Sequence, residues 1–156
     1  MRIKAASLNY RDLVMTRGGY GSRQRKVDLI PLSDGAGEVV ALGEGASRFQ
    51  VGDRVTASFF QDWISGPADQ TKINSDIGRD RDGLLCELRT FRDQGLARTP
   101  DALTDLEAAT LPCAGLTAWS AIAAYGRARP GQHVLIQGTG GVALFALQFA
   151  KLFNAE

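Results

Sequence analysis

The turn Gly138-Thr139-Gly140-Gly141 constrains this chain more than any other segment. It follows His-Val-Leu-Ile-Gln at 133–137, which reads as a buried strand, and opens a run at 142–153 that is apolar on nearly every helical face. Strand, glycine turn and helix in that order form the first βα unit of a dinucleotide-binding fold. Gly138, Gly140 and Ala143 meet the Gly-x-Gly-x-x-Gly/Ala fingerprint, with Gly141 as an extra glycine. Gly138 permits the tight turn, Gly140 lets the backbone approach a pyrophosphate, and Ala143 keeps helix and strand close. The helix start, with Thr139, Gly141 and Val142, offers unbonded amides and positive partial charge. Glycine turns also join strands to helices for purely geometric reasons, so the flanking elements carry much of the weight. The acid that would hold a ribose hydroxyl is expected about 20 residues further on, past Glu156.

Upstream, the chain reads as short strands and turns. Residues 3–8, 37–43, 55–60 and 84–91 are strand candidates separated by Gly and Asp turns, the pattern of a compact β-barrel or sandwich. The polar stretch 61–83, with its Arg-Asp-Arg-Asp run, reads as a long surface loop. Near Pro100 the character changes. Thr104-Asp105-Leu106-Glu107 is a capping box that predicts a short helix ending before Pro112. The alanine-rich segment 114–125, stopped by Gly126, predicts a second helix. A helix at 142–153 this apolar must be covered on more than one face.

Composition excludes several classes. Eighteen Lys and Arg against seventeen Asp and Glu leave a formal charge of +1 in 156 residues. That balance supplies no global attraction to nucleic acid or anionic membrane. An apolar share of 44% is too high for a disordered chain. Two cysteines support neither a disulfide scaffold nor a four-thiolate zinc site. The longest apolar stretch falls well short of the roughly 18 residues a membrane span needs, and the N-terminus lacks a signal-peptide pattern. A cytoplasmic globular protein is the expectation.

Several blocks then resemble the medium-chain dehydrogenase/reductase superfamily, in its zinc-independent quinone oxidoreductase and enoyl reductase branch. They are Ala6-Ser7-Leu8-Asn9-Tyr10-Arg11-Asp12-Leu13, Ser33-Asp34-Gly35-Ala36-Gly37-Glu38-Val39-Val40 and Phe49-Gln50-Val51-Gly52-Asp53-Arg54-Val55. Ala108-Ala109-Thr110-Leu111-Pro112, Cys113-Ala114-Gly115-Leu116-Thr117-Ala118-Trp119 and the glycine turn follow in the family's order. The resemblance implies a mixed α and β fold: a GroES-like β-barrel domain over 1–113, then a linking helix and the first βα unit of a Rossmann domain over 114–156. It implies NAD(P)H, without a choice between NADH and NADPH, and hydride transfer to a carbonyl, quinone or conjugated double bond of a small molecule. It also implies a chain shortened at both ends, inactive and binding cofactor weakly or not at all in this form, from a protein that is homo-oligomeric at full length.

The zinc-dependent branch holds its metal at the positions of Asn9, Ser33 and Cys113. Amide and hydroxyl are poor zinc ligands, and one thiolate cannot hold the ion. No zinc is therefore expected. Cys113 and Cys86 read as small buried apolar residues, and His133, without a nearby Cys or His, as structural or surface. By family analogy Tyr20 is the proton donor, and a phenol can donate where an enolate develops beside it. Asn9, Tyr10, Arg11 and Thr117 are expected near the nicotinamide, Arg11 being the weaker choice. Without the resemblance, Asn9 reads as a turn residue, Thr117 as a helix residue bonded to its own carbonyls, and Tyr20 as a loop aromatic.

Two other readings compete. The basic loop 17–26, with Arg17, Arg23, Arg25, Lys26 and Tyr20, has the chemistry to stack and neutralise single-stranded nucleic acid. Nothing else in the chain widens that patch, so solvated surface is the preferred reading. A catalytically dead module that binds a partner through exposed apolar faces is the second.

Overall fold

The computed structural model describes residues 1–19, 21 and 28–156. The chain forms two compact units, Met1–Pro112 and Cys113–Glu156.

In the first unit β1 (Arg2–Ser7), β2 (Asp34–Glu38), β3 (Arg54–Ala57) and β4 (Leu96–Arg98) form one antiparallel sheet in sequence order. Its core is Val39, Phe49, Val55, Ala57, Ile77, Leu84 and Leu96, with Met1, Ile3 and Phe91 packed against them. β2 has the composition of a turn, Asp-Gly-Ala-Gly-Glu, yet it is a central strand. Close packing explains this. A Cβ on Gly37 would overlap the Arg2 carbonyl, and one on Gly35 would press on Leu84 Cδ1 at 3.0 Å and Ala5 O at 3.1 Å. On another part of the sheet, α3 (Asp105–Ala109) brings Ala108 and Ala109 onto Ala5 and Ala36, with Leu103 alongside. Four alanines let helix and sheet approach closely. The α3 cap forms as expected: Thr104 N donates to Glu107 Oε2 at 2.9 Å, and Glu107 N donates to Thr104 Oγ1 at 3.2 Å.

Three strand boundaries differ from the sequence reading. The strand expected at 37–43 lies at Asp34–Glu38. Val39 still exchanges backbone bonds with Gly52 and Asp53, after which the chain leaves the ladder toward the Gly43–Ala46 turn. The strand expected at 84–91 is absent. The pairing is confined to residues 87–89, where Ile3 N donates to Glu87 O and Arg89 N to Met1 O at 2.9 Å each around a Leu88–Arg2 bridge, while the Leu84 amide turns instead to the Pro31 and Leu32 carbonyls. Among the described residues the named strands run in the order β1-β2-β3-β4, and the outer side of the β1 start takes backbone bonds from the 87–89 stretch. β4 supplies the fourth strand, and its three residues are too few for alternation to show. Residues 55–60 form a strand only as far as Ala57.

The stretch 61–83 is not a surface loop throughout. It contains α2 (Gln70–Ile73), and Ser75, Asp76, Ile77 and Arg79 are buried. Gly78 turns there at φ +78°, with the Leu32 and Ser33 backbone against it.

In the second unit α4 (Leu116–Trp119) lies between two π-helical turns, Leu111–Gly115 and Ser120–Tyr125, and packs against α5 (Gly141–Leu152). Ala118, Ile122 and Ala146 form the core, with Phe145, Phe149 and Phe153 around it. Trp119 sits edge-on to Phe149 at 5.3 Å. Within this unit α5 is covered on one side, and Leu144, Leu147 and Leu152 are exposed. The strand expected at 133–137 is not formed. A strand needs a neighbour to bond, and the backbone here reaches only Glu156, through Val134 N and Gln132 O.

Candidate functional site

Candidate residues fall in both units. In the first, Asn9 caps α1 (Tyr10–Thr16) in extended geometry, at φ −115° and ψ 154°. Its backbone N–H donates to Asp12 Oδ2 at 2.7 Å. Asp12 is buried, and loss of solvent pushes its carboxyl pKa up, against the smaller pull of the Asn9 amide and the Arg11 charge. Among the described residues the buried Asn9 Nδ2 has no hydrogen-bond partner. Tyr10 is 82% exposed.

Arg11 points the other way. Its Nη2 donates to Asp76 Oδ2 at 2.9 Å, its Nη1 to Ile77 O at 3.3 Å, and its guanidinium lies 4.6 Å from the Phe59 ring centre. Arg79 Nε contacts both Asp76 oxygens at 2.9 Å, and Arg79 Nη2 reaches Asp80 Oδ2 at 2.8 Å. Burial raises the Asp76 carboxyl pKa, opposed by the Arg79 and Arg11 guanidiniums. Sequence reasoning missed this quartet because alternating Arg and Asp normally marks a solvated loop. The available signal was Ile77-Gly78 inside the run, an apolar residue followed by a turn.

The zinc-ligand positions have the chemistry read from the sequence. Ser33 is fully buried and donates its hydroxyl to Asp34 Oδ1 at 2.8 Å. With Asn9 an amide, neither position in this unit offers an imidazole or thiolate. Cys113, in the second unit, is half-buried, as is Cys86, short of the full burial expected. The His133 side chain is exposed, 3.6 Å from Glu156. Among the described residues no group of three or more His, Cys, Asp and Glu is placed to hold a metal, and no helix is long and apolar enough to cross a membrane. A groove of about 820 Å³ between residues 39–46 and 88–94 is lined by none of the candidates. Tyr20 lies outside the described residues, as do Arg23, Arg25 and Lys26 of the basic loop.

In the second unit the glycine turn precedes α5 directly. Gly138 has φ +96°, a conformation other residues resist. Gly140 has ordinary angles, φ −76° and ψ 173°, as the cap of α5, and a Cβ on it would meet nothing within 4 Å. Neither backbone nor packing in the unit demands glycine there. Gly141 lies against Ala114, whose Cβ would be 3.3 Å from an added one. Thr117 is exposed on α4, beside the inward-facing Ala118.

Comparison with known proteins gives the family. The family model for the alcohol dehydrogenase GroES-like domain matches residues 1–101. The chain belongs to this family. Its relatives are oxidoreductases of the medium-chain dehydrogenase/reductase superfamily. A zinc-type alcohol dehydrogenase-like protein of Schizosaccharomyces pombe is 40% identical over 160 residues, covering 100% of this chain and 45% of that protein. A chloroplast envelope quinone oxidoreductase homolog of Arabidopsis thaliana is 32% identical over 163 residues, covering 100% of this chain and 44% of its own length. A solved NAD-dependent alcohol dehydrogenase superposes with a TM-score of 0.83 at 32% identity, over 99% of this chain and 47% of that one. The chain thus spans under half the length of these relatives.

Proposed function

We propose that this family member works as an NAD(P)H-dependent, zinc-independent oxidoreductase that reduces a carbonyl, quinone or conjugated double bond of a small molecule. The observation that carries the reading is Gly140, a glycine that neither backbone angles nor neighbouring atoms in its unit require, followed by the free amides of a twelve-residue helix. Open space at that Cβ is what a pyrophosphate lying on the backbone needs. The names of the relatives support a nicotinamide reaction.

When bound, the nicotinamide supplies the hydride; the chain binds, orients and moves the proton. Gly138, Thr139, Gly140, Gly141 and Val142 hold the pyrophosphate, while Asn9, Tyr10 and Thr117 contact the nicotinamide end. The Asn9 Nδ2 suits a carbonyl oxygen, because a buried donor without a partner is costly until one arrives. Tyr20 supplies the proton. Zinc independence is supported by the amide at Asn9 and by the Ser33 hydroxyl, which donates to Asp34. A cytoplasmic homo-oligomer completes the reading.

The test is an NMR titration of the ¹⁵N-labelled chain with NADH and NADPH. The expected result is movement of the amides of residues 138–142, abolished in Gly140→Val. Amides that stay still at millimolar cofactor sink the reading. A second reading, association with a partner, is favoured by the exposed Leu144, Leu147 and Leu152 on α5. Size-exclusion chromatography decides it, since a monomer at low and high concentration removes it.

A further inference from the structure

Helix α1 has seven residues, too few to be stable in water by itself, yet it carries the Asn9–Tyr10 end of the proposed site. Buried charge holds it. Arg11, Asp76, Arg79 and Asp80 have side chains 11%, 4%, 7% and 12% exposed, and among the described residues the guanidiniums of Arg11 and Arg79 face the carboxylates of Asp76 and Asp80. Asp76 is the hinge of the set. One of its oxygens takes the Arg11 Nη2 and both take the Arg79 Nε. Arg79 is anchored in turn to Ile73 O at 3.0 Å and to Asp80.

Among the described residues the Arg11 guanidinium is fixed against a carboxylate, a backbone carbonyl and an aromatic face. A planar donor held this way sets a direction as well as a charge, which a lysine ammonium cannot do. A buried ion pair is weak evidence for stability, and its better use is to specify one geometry. Asn9 needs such help. Among the described residues its Nδ2 has no bond of its own to set its direction, so the direction depends on the start of α1.

We propose that Arg11 is a positioning residue: its pair with Asp76, locked from behind by Arg79 and Asp80, holds the α1 start against residues 73–81 and thereby aims Asn9. Arg11 itself touches no cofactor. The part Asn9 plays in reduction rests on the oxidoreductase reading above; the strut does not.

The experiment follows the Asn9 side-chain amide in ¹⁵N spectra of the full chain, assigned by its disappearance in Asn9→Asp. Arg11→Met, Arg11→Lys and Asp76→Asn are each expected to move that signal and to speed its exchange by about tenfold or more, with the Val39 and Thr99 amides unmoved. Lysine restoring the melting temperature but not the Asn9 signal is the mark of positioning rather than bulk stability. Where turnover is measured, kcat falls by about 100-fold and the cofactor KM stays within about twofold, as expected for a small misplacement. An Asn9 signal unchanged in the folded variants overturns the proposal. So does a nicotinamide response kept by Arg11→Lys and lost by Arg11→Met, which makes Arg11 a direct cofactor cation. If Arg11→Met fails to fold, Asp76→Asn and Arg11→Lys carry the test. Wild-type chain with no nicotinamide response counts against the oxidoreductase reading alone, and the Asn9 signal then decides the strut.

Discussion

Thr56 and Thr99 share a hydrogen bond of 2.8 Å between buried hydroxyls at the β3–β4 end of the sheet. Each oxygen is the other's side-chain partner, so neither can be removed without consequence. Thr99→Val leaves the Thr56 hydroxyl buried with its partner lost and is expected to cost about 1–3 kcal/mol. Thr56→Val/Thr99→Val is expected to recover most of that loss, because apolar groups then meet apolar groups. Chemical denaturation of the three proteins tests it; a double variant as unstable as the summed singles would show no coupling.

The α3 cap predicts a pH effect. The Thr104 backbone and side chain hold the Glu107 carboxyl pKa below its ordinary 4.5. The folded value lies under the unfolded one, so the contribution is complete above 4.5 and is lost as pH falls through the lowered folded value. Melts of wild type and Glu107→Gln are expected to differ at neutral pH and to converge in acid. Thr104→Ala is expected to cost about 1 kcal/mol at neutral pH.

Asp12 runs with the opposite sign. Burial raises its pKa above 3.8, so the folded chain keeps the proton to higher pH than the unfolded one. Stability therefore falls as pH rises from 3.8 through the raised value. The advantage of Asp12→Asn over wild type is expected to grow across that window and then level. A carboxyl titration midpoint below 3.8 in a ¹³C-edited spectrum would contradict the assignment.

Two glycines are expected to respond differently. Gly37→Ala drives its Cβ into the Arg2 carbonyl, which belongs to the paired strand and cannot swing away. The expected loss is about 3 kcal/mol or more. Gly140→Ala meets open space, and its stability is expected to stay within about 0.5 kcal/mol of wild type. Only its dinucleotide response should fail. Denaturation and cofactor titration of both variants separate the two demands on glycine.

Local chemistry was legible in the sequence. The Thr104–Glu107 box, the α5 start after the glycine turn and the β1 run need few residues and short-range rules, and each appears where its residues indicate. Of the candidate site, the tight turn at Gly138 was legible, whereas the helix that Asn9 caps was not read from the sequence.

What depended on distant neighbours was not legible. β2 is a strand because β1 and β3 bond to both of its sides, although its glycines have little strand preference. Residues 84–91 and 133–137 have good strand composition, but the first pairs with the chain start only at 87–89 and the second finds only Glu156 among the described residues. Arg11, Asp76 and Arg79 look like solvated charges until the chain folds Ile77 into the core and carries them with it. The sequence by itself determined caps, turns and the glycine turn before α5, because their energetics lie within a few residues. Strand pairing and the buried charges were decided by tertiary structure, because hydrogen bonds and desolvation depend on which distant segment arrives opposite.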